Sequence, residues 1–213
     1  MLTQREILST LEMLQNEHLD VRTVTLGINL LNCTSHDLTT LQDKILFRIT
    51  DLAHNLVTVC NRVGDKYGIP VVNKRISVSP IAVVAAPFSS SQMIAVARTL
   101  DRAAAEVGVD FIGGFSALVE KGIARGDRAL SDAIPEALAE TRRVCASVNV
   151  ASTRAGINVD AVRLVGQSLK IQVKTGLRES DPDQLGGGLF GRLDCGKKGR
   201  ACHYHFSALG KVI

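Results

Sequence analysis

Residues 69–78 read IPVVNKRISV and residues 109–115 read VDFIGGF, and both segments are rich in β-branched and aromatic residues. This composition predicts strands. Between them, from Ser89 or Ser90 up to Gly108, apolar residues recur every three or four positions, which predicts a helix. A helix of this length can return the chain to the start of a neighbouring strand. The order strand, helix, strand therefore predicts parallel strands covered by helices.

The same alternation extends in both directions from this unit. Upstream lie a helix that begins near Thr3, a strand at 21–31 and a long helix at 37–67 that Asp37 caps. Downstream lie helices near 117–122 and 131–144, a strand at 145–152 and a helix at 157–169. The predicted fold class is α/β, with parallel strands that alternate with helices. Four such units are too few to close an eight-stranded barrel, so we expect a partial (half) α/β barrel.

Composition excludes several classes of protein. Of the 213 residues, 46% are hydrophobic, so the chain as a whole is not intrinsically disordered. Aromatic residues make up 4% and Trp is absent, which argues against a protein that stacks nucleic-acid bases on aromatic side chains. No apolar run is long enough to predict a membrane span, and residues 1–20 lack the apolar core of a signal peptide. Five cysteines without the spacing of a disulfide framework predict a cytoplasmic location.

The net charge of +4 is confined to the end of the chain. Residues 1–169 hold 17 Lys and Arg against 17 Asp and Glu, whereas residues 170–213 hold eight against four. The balanced body predicts no nucleic-acid partner. Eight of the 18 glycines also lie within residues 170–213. We therefore expect one domain over residues 1–169, followed by an irregular, disordered basic tail without a function.

Motifs for metals and cofactors are weak. Cys195, Cys202, His203 and His205 lie within eleven residues, but their spacing differs from that of the paired ligands in structural zinc sites. The segment GGGLFG at 186–191 fits a phosphate-binding glycine pattern but lacks the preceding strand and following helix that this pattern requires. The sequence therefore predicts no metal and no cofactor.

Polar residues interrupt the strand at 69–78. Asn73, Lys74 and Arg75 follow two valines, and Ser77 continues the polar pattern. Because side chains alternate along a strand, Lys74 and Arg75 are expected on opposite faces. A cation in a core strand is costly unless it meets a carboxylate or an anionic ligand. Asn73, Lys74, Arg75 and Ser77 are therefore candidate ligands of a small anion, and a structural ion pair with Asp110 or an exposed strand edge is the alternative.

Two further functions remain open. In the first, the chain is an enzyme of the α/β barrel class, with Asp110 and Glu120 as candidate acid and base and Ser116 as an orienting group. In the second, it is a structural subunit without a site. A carboxylate within hydrogen-bond reach of the cavity that holds Lys74 would favour the enzyme.

Several segments resemble uncharacterised protein family 0210 of bacteria and archaea. They are DVRTVTLG at 20–27, IPVVNKRISV at 69–78, GVDFIGGFSAL at 108–118, ALAET at 137–141, SVNVAST at 147–153 and GIN at 156–158. The resemblance implies a fold similar to the barrel of glycyl radical enzymes such as formate acetyltransferase, and a homodimer. It implies no established activity. Radical chemistry is not carried over, because no glycyl loop is recognisable near the C-terminus.

The resemblance leads us to expect a truncated or frameshifted chain. Members of the family are roughly twice this long, and the similarity runs from about residue 2 to residue 166. It is expected to stop within a helix, near Gly166 and Gln167, and not at a linker where domains normally end. The tail that follows resembles nothing in the family, and the enzyme alternative would be inactive in this form.

Overall fold

The computed structural model describes Leu8, residues 21–152 and 154–174, and the segments 190–194 and 203–209. The described strands are β1 (Val21–Ile28), β2 (Val71–Val78), β3 (Phe111–Leu118), β4 (Val144–Ser152), β5 (Gly156–Ile157), β6 (Phe190–Asp194) and β7 (His203–Leu209). Apart from one short 3-10 helix, the described helices are α1 (Leu38–Ala53), α2 (Leu56–Tyr67), α3 (Ile81–Val84), α4 (Ser90–Val107), α5 (Arg125–Glu140) and α6 (Val159–Lys174).

The sheet has the strand order β1-β2-β3-β4-β7-β6. The first four strands are parallel, each paired with the next along the chain, and helices connect them. The short strand β5 pairs antiparallel with the end of β4. The predicted class is therefore confirmed: this is an α/β fold in which parallel strands alternate with helices, as in part of an α/β barrel.

One hydrophobic core joins the helices to the sheet. Helix α1 buries Leu41, Ile45 and Ile49, which lie four residues apart and therefore on one side of the helix. They join strand residues such as Ile76 and Phe115, which are also fully buried. Each such side chain contributes about 1.5–3 kcal/mol through burial, so the packing of helices on one face of the sheet dominates the stability of the fold.

Several helix boundaries differ from the predictions, most clearly at two places. The apolar pattern over 37–67 predicts one helix, but the structure breaks it at His54 and Asn55, where the Nδ1 atom of His54 lies 2.7 Å from the carbonyl oxygen of Asp51. A side chain that bonds the local backbone in this way competes with the helical hydrogen bonds. The predicted helix near 117–122 is also absent, because β3 continues through Leu118.

The predicted cap at Asp37 is confirmed. Its carboxylate accepts a hydrogen bond of 2.7 Å from the backbone N–H of Thr40 and thereby satisfies a free donor in the first turn of α1. This hydrogen bond holds the pKa of Asp37 below its usual value. The cap fixes the start of α1, the α-helix that follows β1.

Within residues 170–213, which are predicted to be disordered, the structure describes three regular segments. Residues 170–174 continue α6, β7 pairs antiparallel with β4, and β6 pairs antiparallel with β7. Residues 175–189, 195–202 and 210–213 lie outside the described residues, and for them the prediction of disorder stays a prediction.

Among the described helices, none has the length and apolar character to cross a bilayer.

Candidate functional site

The four parallel strands have one face covered by helices and a second face on which most of the strand residues are fully or partly exposed. Burial alternates along β1 and β2, so that Ile28, Ile76 and Val78 are buried while Thr25 and Arg75 are exposed. We call the second face the open face. Strand register and alternation assign to it Thr23, Thr25, Gly27, Asn73, Arg75, Ser77, Phe111, Gly113, Ser116, Leu118, Cys145, Ser147 and Asn149. Most of these residues are polar or small, which is unusual for the centre of a sheet.

Arg75 lies on the open face, level with Phe111 at the amino end of β3. It is exposed, and its guanidinium carbon lies 5.1 Å from the centre of the Phe111 ring on the neighbouring strand. Within the described residues no carboxylate forms an ion pair with it. A cation held over an aromatic face keeps its outward hydrogen-bond donors available to a ligand.

A row of small residues crosses the sheet next to Arg75, on the side of the carboxyl ends of the strands. Gly27, Ser77, Gly113 and Cys145 are register partners on four successive strands. No atom lies within 4 Å of the position that a side chain at Gly27 would occupy. The row therefore carries no large side chain beside the guanidinium, and it leaves open space at Gly27.

The structure separates Lys74 from the other candidate ligands. It follows the alternation of Ile76 and Val78, both buried, so it belongs to the helix-covered face, whereas Asn73, Arg75 and Ser77 belong to the open face. The suggested Lys74–Asp110 interaction involves the backbone: the carboxylate of Asp110 accepts a hydrogen bond of 2.7 Å from the N–H of Lys74. The N–H of Asp110 donates in turn to the carbonyl of Lys74 at 2.9 Å.

The three candidate catalytic residues lie at different places along β3. Asp110 precedes the strand and Glu120 follows it, so about 26 Å of strand separates them. Two carboxylates at this distance cannot act as acid and base on one substrate. Ser116 is buried on the open face, and its hydroxyl lies 3.3 Å from the carbonyl oxygen of Gly114.

Glu120 has a polar neighbour on the adjacent strand. The side-chain amide of Asn149 lies 3.4 Å from Oε2 of Glu120, at the carboxyl ends of β3 and β4. Ligands of parallel α/β folds bind at this edge. Glu120 is therefore the one candidate carboxylate that lies where a substrate is expected.

Several residues of the open face were missed by sequence reasoning, among them Phe111 and Cys145. Burial raises the pKa of the Cys145 thiol to about 11, and the charge of Arg75 lowers it by a smaller amount. A thiol with this pKa is protonated at neutral pH and is a poor nucleophile. Strand alternation could have placed both residues on the face of Arg75, had the register been known.

The raised pKa makes a testable prediction for Cys145. At neutral pH we expect iodoacetamide to alkylate it about tenfold more slowly than an ordinary thiol, because a pKa of about 11 and not 9.0 leaves about a hundredth of the thiolate, whereas the more basic thiolate is about tenfold more nucleophilic. Mass spectrometry of the digested protein measures the rate, with the urea-unfolded chain as the reference. Equal rates in folded and unfolded protein would contradict the assigned environment.

Among the described residues, no three His, Cys, Asp or Glu side chains lie close enough together to hold a metal ion. Cys195 and Cys202 lie outside the described residues, so the cluster noted in the sequence is not placed.

Comparisons with known proteins give the family of the chain. The family model described as "Uncharacterised ACR (DUF711)" matches residues 12–187. Proteins named "UPF0210 protein" match over most of this chain. The one from Syntrophobacter fumaroxidans is 65% identical over 170 residues, which cover 80% of this chain and 37% of the relative. The one from Oleidesulfovibrio alaskensis is 58% identical over 186 residues, which cover 87% and 40%. The one from Methanosarcina mazei is 50% identical with the same coverage.

The family match corrects the expected end of the resemblance, and the lengths of the relatives support the expectation that members of the family are much longer than this chain. It continues to residue 187, beyond the end of α6, so the expectation that the resemblance stops near Gly166 and Gln167 is wrong. The chain spans 37% to 40% of the length of these relatives. Because the family model covers most of the sequence, the chain belongs to the uncharacterised family DUF711, whose curated relatives are named UPF0210 proteins.

Proposed function

We propose that the chain is a binding protein for a small anionic metabolite, which it holds on the open face of the sheet. The observation that carries this proposal is the environment of Arg75. Its guanidinium is exposed on a polar face, lies over the ring of Phe111 and has no carboxylate partner within the described residues. A fixed cation of this kind is complementary to an anion.

The chemistry of the face favours a carboxylate as the anion. A guanidinium binds a carboxylate through two parallel hydrogen bonds, and this geometry needs only one arginine. Asn73 and Ser77 lie on the same face about 7 Å from Arg75 along the strand, and Thr25 is its register partner on β1. Hydroxyl and amide groups at these distances can bind the remaining polar atoms of a ligand a few carbons long.

Lys74 has a different role in this proposal. Because it belongs to the helix-covered face, it contributes to the local positive potential but does not contact the ligand. Lys74 and Arg75 carry the same charge at adjacent positions, so they form a matched pair for an experiment.

The experiment compares Arg75→Gln with Lys74→Gln by calorimetric titration with acetate, malonate, succinate and citrate. Loss of a charge-assisted hydrogen bond lowers affinity about tenfold or more, so we expect that loss in Arg75→Gln. In Lys74→Gln the affinity should change by less than about twofold, as for a distant charge screened by water. Equal losses in both variants, or no saturable binding to the unmodified chain, would refute the proposal.

The contact between Glu120 and Asn149 favours a second candidate function. Glu120 is half-buried at the carboxyl edge of the sheet, where a single carboxylate could serve as a general base. In that case the substrate would bind at this edge, away from Arg75, and Glu120→Gln would abolish its turnover, whereas a binding protein shows no turnover to abolish. Product analysis after incubation with each carboxylate that binds separates the two functions.

A further inference from the structure

A polar cleft lies at the carboxyl ends of β3 and β4, away from Arg75. It has a volume of about 410 Å³, which is within the range of small-molecule sites. The polar or turn-forming residues that line it are Gly122, Arg128, Asn158, Asp160, Arg163 and Gln167. They come from the loop after β3, from α5, from α6 and from the residue before it. The cleft therefore lies where parallel α/β folds bind ligands.

Asn158 fixes the floor of the cleft. Its side-chain amide donates a hydrogen bond of 2.7 Å to the carbonyl of Val119, and its Oδ1 atom accepts one of 3.2 Å from the N–H of Ala161. Its own N–H donates to the carbonyl of Val150 at 2.9 Å. One residue thus joins the loop after β3, the end of β4 and the first turn of α6, so that the walls are held at a fixed separation.

Two arginines from different helices give the cleft its charge. Arg128 lies on α5 and Arg163 on α6, both are exposed, and within the described residues neither forms an ion pair. Arg163 and Gln167 are one turn apart and therefore lie on the same side of α6. Asp160 is the one carboxylate among the lining residues, so the lining has a net positive charge.

We propose that this cleft binds a phosphate monoester. Two guanidinium groups on different walls can contact separate oxygens of a tetrahedral dianion. A planar carboxylate has only two oxygens and is less suited to contact both groups. The amino end of α6, a helix of 16 residues, lies at the same cleft and adds a partial positive charge that favours phosphate. Asp160 opposes the dianion and thereby limits its affinity. This site is separate from the one that contains Arg75.

The test measures binding of phenyl phosphate and of inorganic phosphate by calorimetry, with benzoate and phenol as comparisons. Arg128→Gln and Arg163→Gln should each weaken phenyl phosphate binding about tenfold, the usual cost of losing a hydrogen bond to a charged group. Asp160→Asn should strengthen it about threefold, as expected when one nearby like charge is removed in water. Arg102→Gln, an exposed arginine of α4 outside the cleft, is the matched control and should leave binding unchanged.

Several outcomes would overturn the proposal. In the first, benzoate binds as tightly as phenyl phosphate. In the second, Asp160→Asn binds phenyl phosphate more weakly than the unmodified chain. In the third, Arg128→Gln and Arg163→Gln bind it as tightly as Arg102→Gln does. Absence of saturable phosphate binding to the unmodified chain would overturn it as well. Arg75→Gln should still bind phenyl phosphate, so that the failure of one proposed site is distinguishable from the failure of the other. Thermal unfolding without phosphate verifies that each variant is folded.

Discussion

Replacement of Gly114 by Ala is expected to destabilise the chain by about 3 kcal/mol or more, since backbone strain and overpacking each cost about 1–3 kcal/mol. Gly114 has a φ of 115°, which L side chains rarely adopt. An added Cβ would lie 2.5 Å from the carbonyl oxygen of Val78 and 2.4 Å from its Cγ2 atom. The backbone atom cannot move without shifting β2 against β3. Such a shift would also displace Arg75 from Phe111.

Gly113 provides the control for this prediction. It is the adjacent residue, its φ is not in the strained range, and an added Cβ would meet only the carbonyl oxygen of Ile76 at 3.9 Å. We expect Gly113→Ala to change stability by less than about 1 kcal/mol, since an ordinary contact of this kind carries no overpacking cost. Urea unfolding followed by circular dichroism measures both variants. Equal stability of the two variants would contradict the described approach of β2 to β3.

Replacement of Gly126 by Ala is expected to destabilise the chain by about 2–3 kcal/mol, because overpacking against rigid backbone outweighs a gain of about 1 kcal/mol in helix propensity. Gly126 is buried in the first turn of α5, and an added Cβ would lie 2.4 Å from the carbonyl oxygen of Ala82 and 3.0 Å from the Cα of Ala86. These are atoms of α3 and of the turn that follows it. The glycine therefore allows α5 to approach that segment closely.

Gly166 in α6 isolates the effect of helix propensity. It is exposed, and no atom lies within 4 Å of an added Cβ. Gly166→Ala should therefore stabilise the chain by about 0.5–1 kcal/mol, the ordinary gain for this substitution within a helix. The two glycine variants thus have opposite expected signs in the same urea experiment. A stabilising Gly126→Ala would show that α5 and α3 are farther apart than the structure has them.

The sequence predicted the order of strands and helices better than it predicted their ends. Alternating segments of strand and helix character are enough to predict parallel strands β1 to β4, because each helix is long enough to cross back over the sheet. The break at His54 and Asn55 was missed, since the apolar residues on both sides of it keep the spacing of a single helix. The helix predicted near 131–144 begins six residues earlier, at Arg125, and ends at Glu140.

The candidate site was predictable only in part. Alternation along one strand separates Arg75 from Lys74 without any knowledge of the structure, and position before or after β3 separates Asp110 from Glu120. Which residues of the neighbouring strands share the face of Arg75 was not predictable in this way. A register shift between Gly113 and Phe115 changes the alternation within β3, so that Ile112 and Phe115, three residues apart, are both buried. The same shift places Ser116 on the open face.

The most direct test of the proposed carboxylate site is an NMR titration that follows the side-chain Nε–H signal of Arg75 as malonate is added. If malonate binds on the open face, this signal shifts saturably, and backbone signals of Asn73 and Ser77 shift with the same dissociation constant. The Lys74→Gln variant should give the same curve. A signal of Arg75 that does not respond while malonate binds elsewhere, or no saturable shift at any residue, would contradict the assignment of the open face as a metabolite-binding surface.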